Sequence, residues 1–462
     1  MLSSSIVAFA LKPRLLPALS RTATTTKPAV VQARIANLVH RNMSTFKQEN
    51  HKLLVIPGPI EVTDEVLYAN ATPPLGHTSP DFIPYFGDAI RLTREVVYTT
   101  TGQPFLIAGS GTLGWDQVAA NLIEPGESVL LLNSGYFGDS FADCLRAYGA
   151  QVDEIRADFG KSATQAELEQ ALKAGKKYKA VAFTHVDTST AVLADAKMIG
   201  ETVKRLSPES LVFLDGVCSI ASEEIRFDDW NIDVVIGASQ KGLGAPPGLS
   251  VVIASQKALQ VVESRKAPIA GFYSSWKRWL PIMKAYEAGT PAYFATPPVN
   301  LIRAYHASLT QILRSDVSLQ DRFQLHKDAA QRIRQAAKDL GLKLVPTDEY
   351  NTANGLSAIY LPEGLGVADV VPRLSQKGVV ITGGIHKVNK DKYFRIGHMG
   401  TTVVDKSRGD IDKVITVLKE SLQEALESKK KASPLQKSTG RPTFGQSTYP
   451  RSIAPASARA RL

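Results

Sequence analysis

Residues 211–248 read LVFLDGVCSIASEEIRFDDWNIDVVIGASQKGLGAPPG. The stretch holds two apolar, β-rich runs, Leu211–Leu214 and Val234–Ile236. Each breaks at once into small or polar residues: Asp215 and Gly216 after the first, and Gly237 to Gln240, then Lys241, after the second. Short apolar runs of this kind are what parallel strands look like when helices cover both faces of their sheet. Three more runs share the character, Phe105–Ala108, Val129–Leu132 and Ala180–Thr184. They end in Gly109–Thr112, Asn133–Gly138 and His185–Thr190. Ligands of open α/β sheets bind beyond the carboxyl ends of the strands, so these five endings are candidates for one pocket.

Strand-like runs alternate with helical patterns from Lys47 to about Ser428, which predicts an α/β fold built on a mostly parallel sheet. After Tyr293 the pattern changes. A long helical region over 299–340 leads into strand candidates Lys343–Pro346, Ser357–Leu361, Val379–Ile381 and Tyr393–Ile396, then a helix near Ile411–Leu426. This predicts a second, smaller α+β domain. At 462 residues the chain exceeds what one core usually serves. The expected organisation is a leader over 1–46, a large domain over 47–298, a small domain over 299–428 and a basic, disordered tail over 429–462.

The formal net charge of +10 is concentrated at the ends. Residues 1–46 carry six basic side chains and residues 429–462 carry eight, with no Asp or Glu in either, so the body between them is net acidic. A body with that balance gives no reason to expect nucleic acid. The Arg-bearing, Ser- and Thr-rich leader has the profile of a mitochondrial transit peptide. The closing Ala460-Arg461-Leu462 follows the small-basic-leucine pattern of a peroxisomal address, its alternative being a chance ending. No run of 18 apolar residues occurs, so no membrane span is expected. Two cysteines, Cys144 and Cys218, are too few for a disulfide framework, and no clustered ligand set calls for a metal.

The strand endings carry complementary chemistry. Ser110, Gly111 and Thr112 open a helical pattern, where free N–H groups and the positive helix end suit a phosphate; an ordinary strand-to-helix turn reads the same way. Asp215 closes an apolar strand, where a lone carboxylate needs a positive partner such as a pyridinium nitrogen, unless it merely caps the next turn. Lys241 lies among glycines and paired prolines that fix a backbone. A desolvated lysine there reacts with aldehydes, whereas a solvated loop lysine does so poorly. Phe137 adds a flat ring for stacking. Together these are the parts of a pyridoxal phosphate site.

On these residues the chain resembles the class V, fold-type-I aminotransferases, and within them the alanine:glyoxylate (serine:pyruvate) branch. The resemblance covers about Leu53 to Leu426. It rests on PGP at 57–59, GSGT at 109–112, NSGYFG at 133–138, HVDTST at 185–190, LDGV at 214–217, GASQKGLGAPPG at 237–248 and RIGHMG at 395–400. It implies a seven-stranded, mostly parallel sheet and pyridoxal 5'-phosphate carried by Lys241. Ser110, Gly111, Thr112 and Gln240 would lie at the phosphate, and Phe137 and Val217 on the two ring faces. Asp215 would face the ring nitrogen, and Ser189 with Thr188 the ring hydroxyl. Arg395 would clamp the substrate carboxylate, its alternative being a domain-interface ion pair. Gly58 would let the backbone approach the substrate, unless it serves only a Pro-Gly turn. Tyr293 and Thr296 match a pair that reaches the phosphate of a neighbouring subunit, which implies a homodimer with shared sites. The chain departs from the family at Phe137, where some members have Trp, at Asp187 for Glu and at Ala191 for Gly.

The implied reaction moves an amino group from L-alanine to glyoxylate, yielding pyruvate and glycine, with serine as the alternative donor. A cysteine desulfurase-type lyase would need a reactive cysteine in a small-domain loop, and neither Cys144 nor Cys218 lies there. A binding role without catalysis fits poorly with the presence of Lys241, Asp215 and Arg395.

Overall fold

The computed structural model describes residues 46–432, so the leader, Phe46 apart, and the tail beyond residue 432 lie outside the described residues. Seven strands make the main sheet: β1 Gln103–Ala108, β2 Ser128–Asn133, β3 Gln151–Arg156, β4 Ala180–Thr184, β5 Leu211–Asp215, β6 Val234–Ala238 and β7 Leu249–Ala254. Their order is β1-β7-β6-β5-β4-β2-β3, parallel throughout except for β7, which runs antiparallel to both its neighbours. Strands β4 to β7 are buried along their whole length, which is why they read as unbroken apolar runs. Two strands had no counterpart among the runs above. At the sheet edge, β3 (QVDEIR) mixes charged and apolar residues because none of its side chains is fully buried. The run of β7 starts directly after the Pro-Gly turn of the lysine segment.

Helix α1, Gly111–Leu122, follows β1, and α2, Tyr136–Ala147, follows β2. The predicted long helical region is two helices, α3 Val299–Arg314 and α4 Leu319–Asp339. Ser318 starts the second by accepting a hydrogen bond from the Asp321 amide at 3.1 Å. Between β5 and β6 on one side and the C-terminal elements on the other, the described residues from Gln48 onward form one contact unit with two principal apolar clusters. The first cluster extends through Ile302, Tyr305, Leu309 and Ile312 of α3, which packs on the helices Asp64–Ala71 and Ile83–Val96. The cores therefore part within α4, not at the expected residue 299.

The second cluster lies under a three-stranded sheet of β8 Leu356–Tyr360, β9 Thr382–Gly383 and β10 Tyr393–Gly397, ordered β8-β10-β9. Two predicted strands change role. Val379–Val380 pairs in parallel with Leu53–Leu54, and Lys343–Pro346 contributes only a bridge between Leu344 and Ile359. The last helix, α5 Asp410–Ala432, runs longer than expected and takes Lys429–Lys431 out of the predicted tail. Cations in the last turn suit the negative end of a helix. Among the described residues no helix is long and apolar enough to cross a membrane, and no cluster of three metal-binding side chains occurs.

Candidate active site

Lys241 follows β6 in a turn closed by its own polar groups. Ser239 Oγ donates to the Pro246 carbonyl at 2.6 Å, and the Gly244 amide donates to the Lys241 carbonyl at 2.8 Å. Arg322, buried on α4, adds two bonds from outside, Nε to the Ala221 carbonyl at 2.9 Å and Nη2 to the Gly242 carbonyl at 3.1 Å. The half-buried lysine side chain reaches the Pro57 carbonyl. Gly58 adopts φ +106°, a conformation that favours glycine, and a Cβ there would lie 2.7 Å from Lys241 Cε and Nζ, so a side chain would displace the lysine tip. Burial is the main force pushing the Lys241 ammonium below its ordinary range; nearby Arg395 acts the same way and Asp215 opposes it.

Asp215 ends β5 and is 5 % exposed. Trp115 Nε1 donates to its Oδ2 at 3.0 Å, and the Val217 amide donates to its Oδ1 at 3.0 Å. Burial nevertheless raises its pKa to about 6, with Asp187 adding to the rise and Lys241 opposing it. A positive group alongside would relieve that cost. The start of α1 faces the same place. A Cβ on Gly111 would lie 2.7 Å from Val217 Cγ2 and 3.3 Å from Ala238 Cβ, so this helix end touches the termini of β5 and β6. Ser110 is the N-cap with no side-chain capping bond, and Ser110 and Thr112 are exposed. Val217 is half-buried, as is Phe137 in the first turn of α2.

The loop after β4 joins these parts to β10. Ser189 is 0 % exposed; its hydroxyl donates to Asp187 Oδ1 at 2.5 Å and accepts from the Tyr136 amide at 3.0 Å. Its hydroxyl proton is thus committed to Asp187, and Thr188 beside it is buried too. Arg395 donates Nη1 to the Thr188 carbonyl at 3.2 Å and Nε to the Gly383 carbonyl at 2.9 Å. Among the described residues its hydrogen bonds go to these two carbonyls and it forms no ion pair. Its guanidinium lies within the fields of Asp187 and Cys218, and burial lowers its pKa. The segment around Gly58 runs between the two cations: the Gly397 amide donates to the Val55 carbonyl at 2.8 Å, and the Ile60 amide to the Gln240 carbonyl at 3.2 Å.

Thus Gly58, Gly111, Phe137, Asp215, Val217, Gln240, Lys241 and Arg395 converge, whereas Tyr293 and Thr296 do not. Both of the latter are exposed, Tyr293 at 63 %, its ring 5.1 Å from His77. His185 is structural: buried, bonded to Ser219 Oγ at 2.9 Å and pushed down to about 3 by burial. Trp115 and Arg322 have no local motif and were not found by sequence reasoning. Each acts across elements, and only the tertiary fold shows its partner. Ala191 takes φ +60°, a left-handed conformation that the glycine expected there from the resemblance would adopt without strain.

The donor set suits pyridoxal phosphate. An uncapped helix start packs against the ends of β5 and β6, a buried carboxylate and a desolvated lysine lie within each other's fields there, and Gln240 Oε1 is buried without a partner among the described residues. The family model described as aminotransferase class-V matches residues 68–401. The alanine–glyoxylate aminotransferase 1 of Saccharomyces cerevisiae is 42 % identical over 381 residues, covering 80 % of this chain and 97 % of that protein. The serine–glyoxylate aminotransferase of Methylorubrum extorquens is 29 % identical, over 78 % of this chain and 89 % of its own. The solved alanine–glyoxylate aminotransferase of Nostoc superposes with a TM-score of 0.74 at 27 % identity, over 83 % of this chain and 98 % of that one. The chain, with its desolvated lysine and buried aspartate at the strand ends, belongs to the class V aminotransferases.

Proposed function

We propose that this protein transfers the amino group of L-alanine to glyoxylate, producing pyruvate and glycine. The observation that carries the reading is Lys241, held against Pro57 and Gly58 with its ammonium destabilised, in the fields of Asp215 and Arg395. Bound pyridoxal phosphate supplies the electron sink that lets a Cα–H bond break. Lys241, as a neutral amine, moves the proton at Cα. Asp215 keeps a proton at the ring nitrogen, and Phe137 and Val217 cover the ring faces. Ser110, Gly111, Thr112 and Gln240 hold the phosphate, with the start of α1 contributing its amides and dipole. Arg395 offers its guanidinium to the substrate carboxylate, where a planar fork favours two parallel bonds.

Glyoxylate as acceptor is supported by the names of all three relatives above, while their donors differ between alanine and serine. Alanine is taken as donor on the higher identity of the yeast protein; serine is the second reading. The exposed Tyr293 and Thr296 support a homodimer in which each copy completes the phosphate site of the other, and sedimentation as a monomer would end that part of the proposal. We further propose mitochondrial or peroxisomal residence, from the leader and the last three residues. Fluorescent fusions lacking either end would test it, and unchanged cytosolic distribution of the intact chain would remove it.

The deciding experiment is a visible spectrum of the purified protein. The lysine-bound cofactor band should be lost on adding L-alanine, return with glyoxylate and be absent from Lys241→Ala. A band bleached by L-serine but not by L-alanine would transfer the proposal to the second reading. No band after adding pyridoxal phosphate would reject both.

A further inference from the structure

We infer that Asp187 is a positioning residue that fixes Phe137 and Arg395 in register with one another, an inference that rests on the functional reading above. Asp187 is fully buried in the loop after β4. Its Oδ1 accepts from the Ser189 amide at 2.9 Å and the Ser189 hydroxyl at 2.5 Å. Its Oδ2 accepts from the Phe137 and Gly138 amides, both at 3.2 Å. The Tyr136 amide goes to Ser189 Oγ at 3.0 Å, so three successive amides at the start of α2 end on this one loop. A helix start leaves such amides without partners of its own, and its dipole favours an anion there.

The other side of the loop holds the substrate arginine. The Thr188 carbonyl accepts from Arg395 Nη1 at 3.2 Å, and the Ser189 carbonyl accepts from the Tyr393 hydroxyl at 2.5 Å. The ring that covers the cofactor and the cation that takes the carboxylate are therefore both referenced to residues 187–189. There is little slack: a Cβ on Gly135 would lie 2.7 Å from Asp187 Cγ and Oδ1. Every described partner of the carboxylate is a donor. An amide in its place would turn an NH2 group against donors whichever way it is flipped, and one half of the junction must open.

The experiment compares the wild type with Asp187→Asn by four measurements. They are cofactor affinity from the tryptophan fluorescence of the apoprotein, visible circular dichroism of the bound band, KM for glyoxylate and apoprotein Tm. Asp187→Asn should weaken pyridoxal phosphate binding at least about tenfold, change the intensity of the dichroic band and raise KM for glyoxylate in the same protein. Cofactor affinity and KM both within about twofold of wild type would overturn the inference, even with a lowered Tm, because a residue that only stabilises the fold moves Tm alone. If Asp187→Asn does not fold, Ser189→Ala carries the same test. It removes the hydroxyl shared by Asp187 and the Tyr136 amide, and a several-fold change in both affinity and KM is expected. A wild type that takes up no cofactor would instead reject the functional reading.

Discussion

At the scale of single residues, the site depends on one carboxylate being held where ionisation is costly. Asp215 is buried, is pushed up to about 6 by that burial and has two donors that favour its charged form, of which only Trp115 is a side chain. Trp115→Phe keeps the stacking on Phe141, where the ring centroids are 5.4 Å apart, and removes that donor. A hydrogen bond to a charged group is worth about 1.5–3 kcal/mol, so the apoprotein carboxylate should titrate about one to two units higher in the variant. The sign follows from the raised native pKa. Relative to the unfolded chain, the stability from this group is present below its ordinary 3.8 and is lost as pH rises through about 6; in Trp115→Phe the loss should continue to higher pH. Carbon-detected titration of the aspartate side chains checks it, and an unshifted curve would show that the indole does not hold the charge.

At the scale of elements, the strand ends were legible because a fully buried strand must be apolar and must stop abruptly where the chain turns polar. Asp215, Lys241 and the start of α1 each stand at such a break. The inward hydrogen bonds of Ser189 to Asp187 and from the Tyr136 amide were not legible, since such partners leave no trace in residue type. Trp115, Arg322 and the edge strand β3 were illegible for a related reason: their partners lie far away in sequence, or their pattern is diluted by solvent. The geometry at α1 is strict. Gly111→Ala would drive its methyl against Val217 Cγ2 and Ala238 and so shift the helix start or Val217 itself. Alanine is otherwise the better helix former by up to about 1 kcal/mol, so the apoprotein should stay folded. Cofactor affinity should fall by about tenfold or more, measured by fluorescence titration. Unchanged affinity would mean that this helix end does not contact the bound group.

At the scale of the whole molecule, the two cores are joined by a buried carboxylate. Glu223, in the turn after β5, accepts from the amide and side-chain nitrogen of Asn354, the latter at 2.8 Å, just before β8. Gly355 follows, and its carbonyl accepts from the His398 amide at 2.9 Å, three residues past Arg395. Glu223 therefore ties the strand that carries Asp215 to the strand that carries Arg395. Burial raises its pKa to about 7, while Asn354, Gly355 and the nearby Arg334 favour the charge. Because the folded value lies above the ordinary 4.5, the stability from this group is present below 4.5 and is lost as pH rises through about 7. That interval corresponds to about 3 kcal/mol. Glu223→Gln cannot ionise, so its stability should change less between pH 4.5 and 8 than that of the wild type, by up to this amount. Urea denaturation of both proteins at the two pH values isolates the difference, because every other titrating group, Asp215 included, is common to both. Equal pH dependence in the two proteins would show that Glu223 ionises in the folded protein much as it does in the unfolded chain, so that burial does not hold a proton on the clasp.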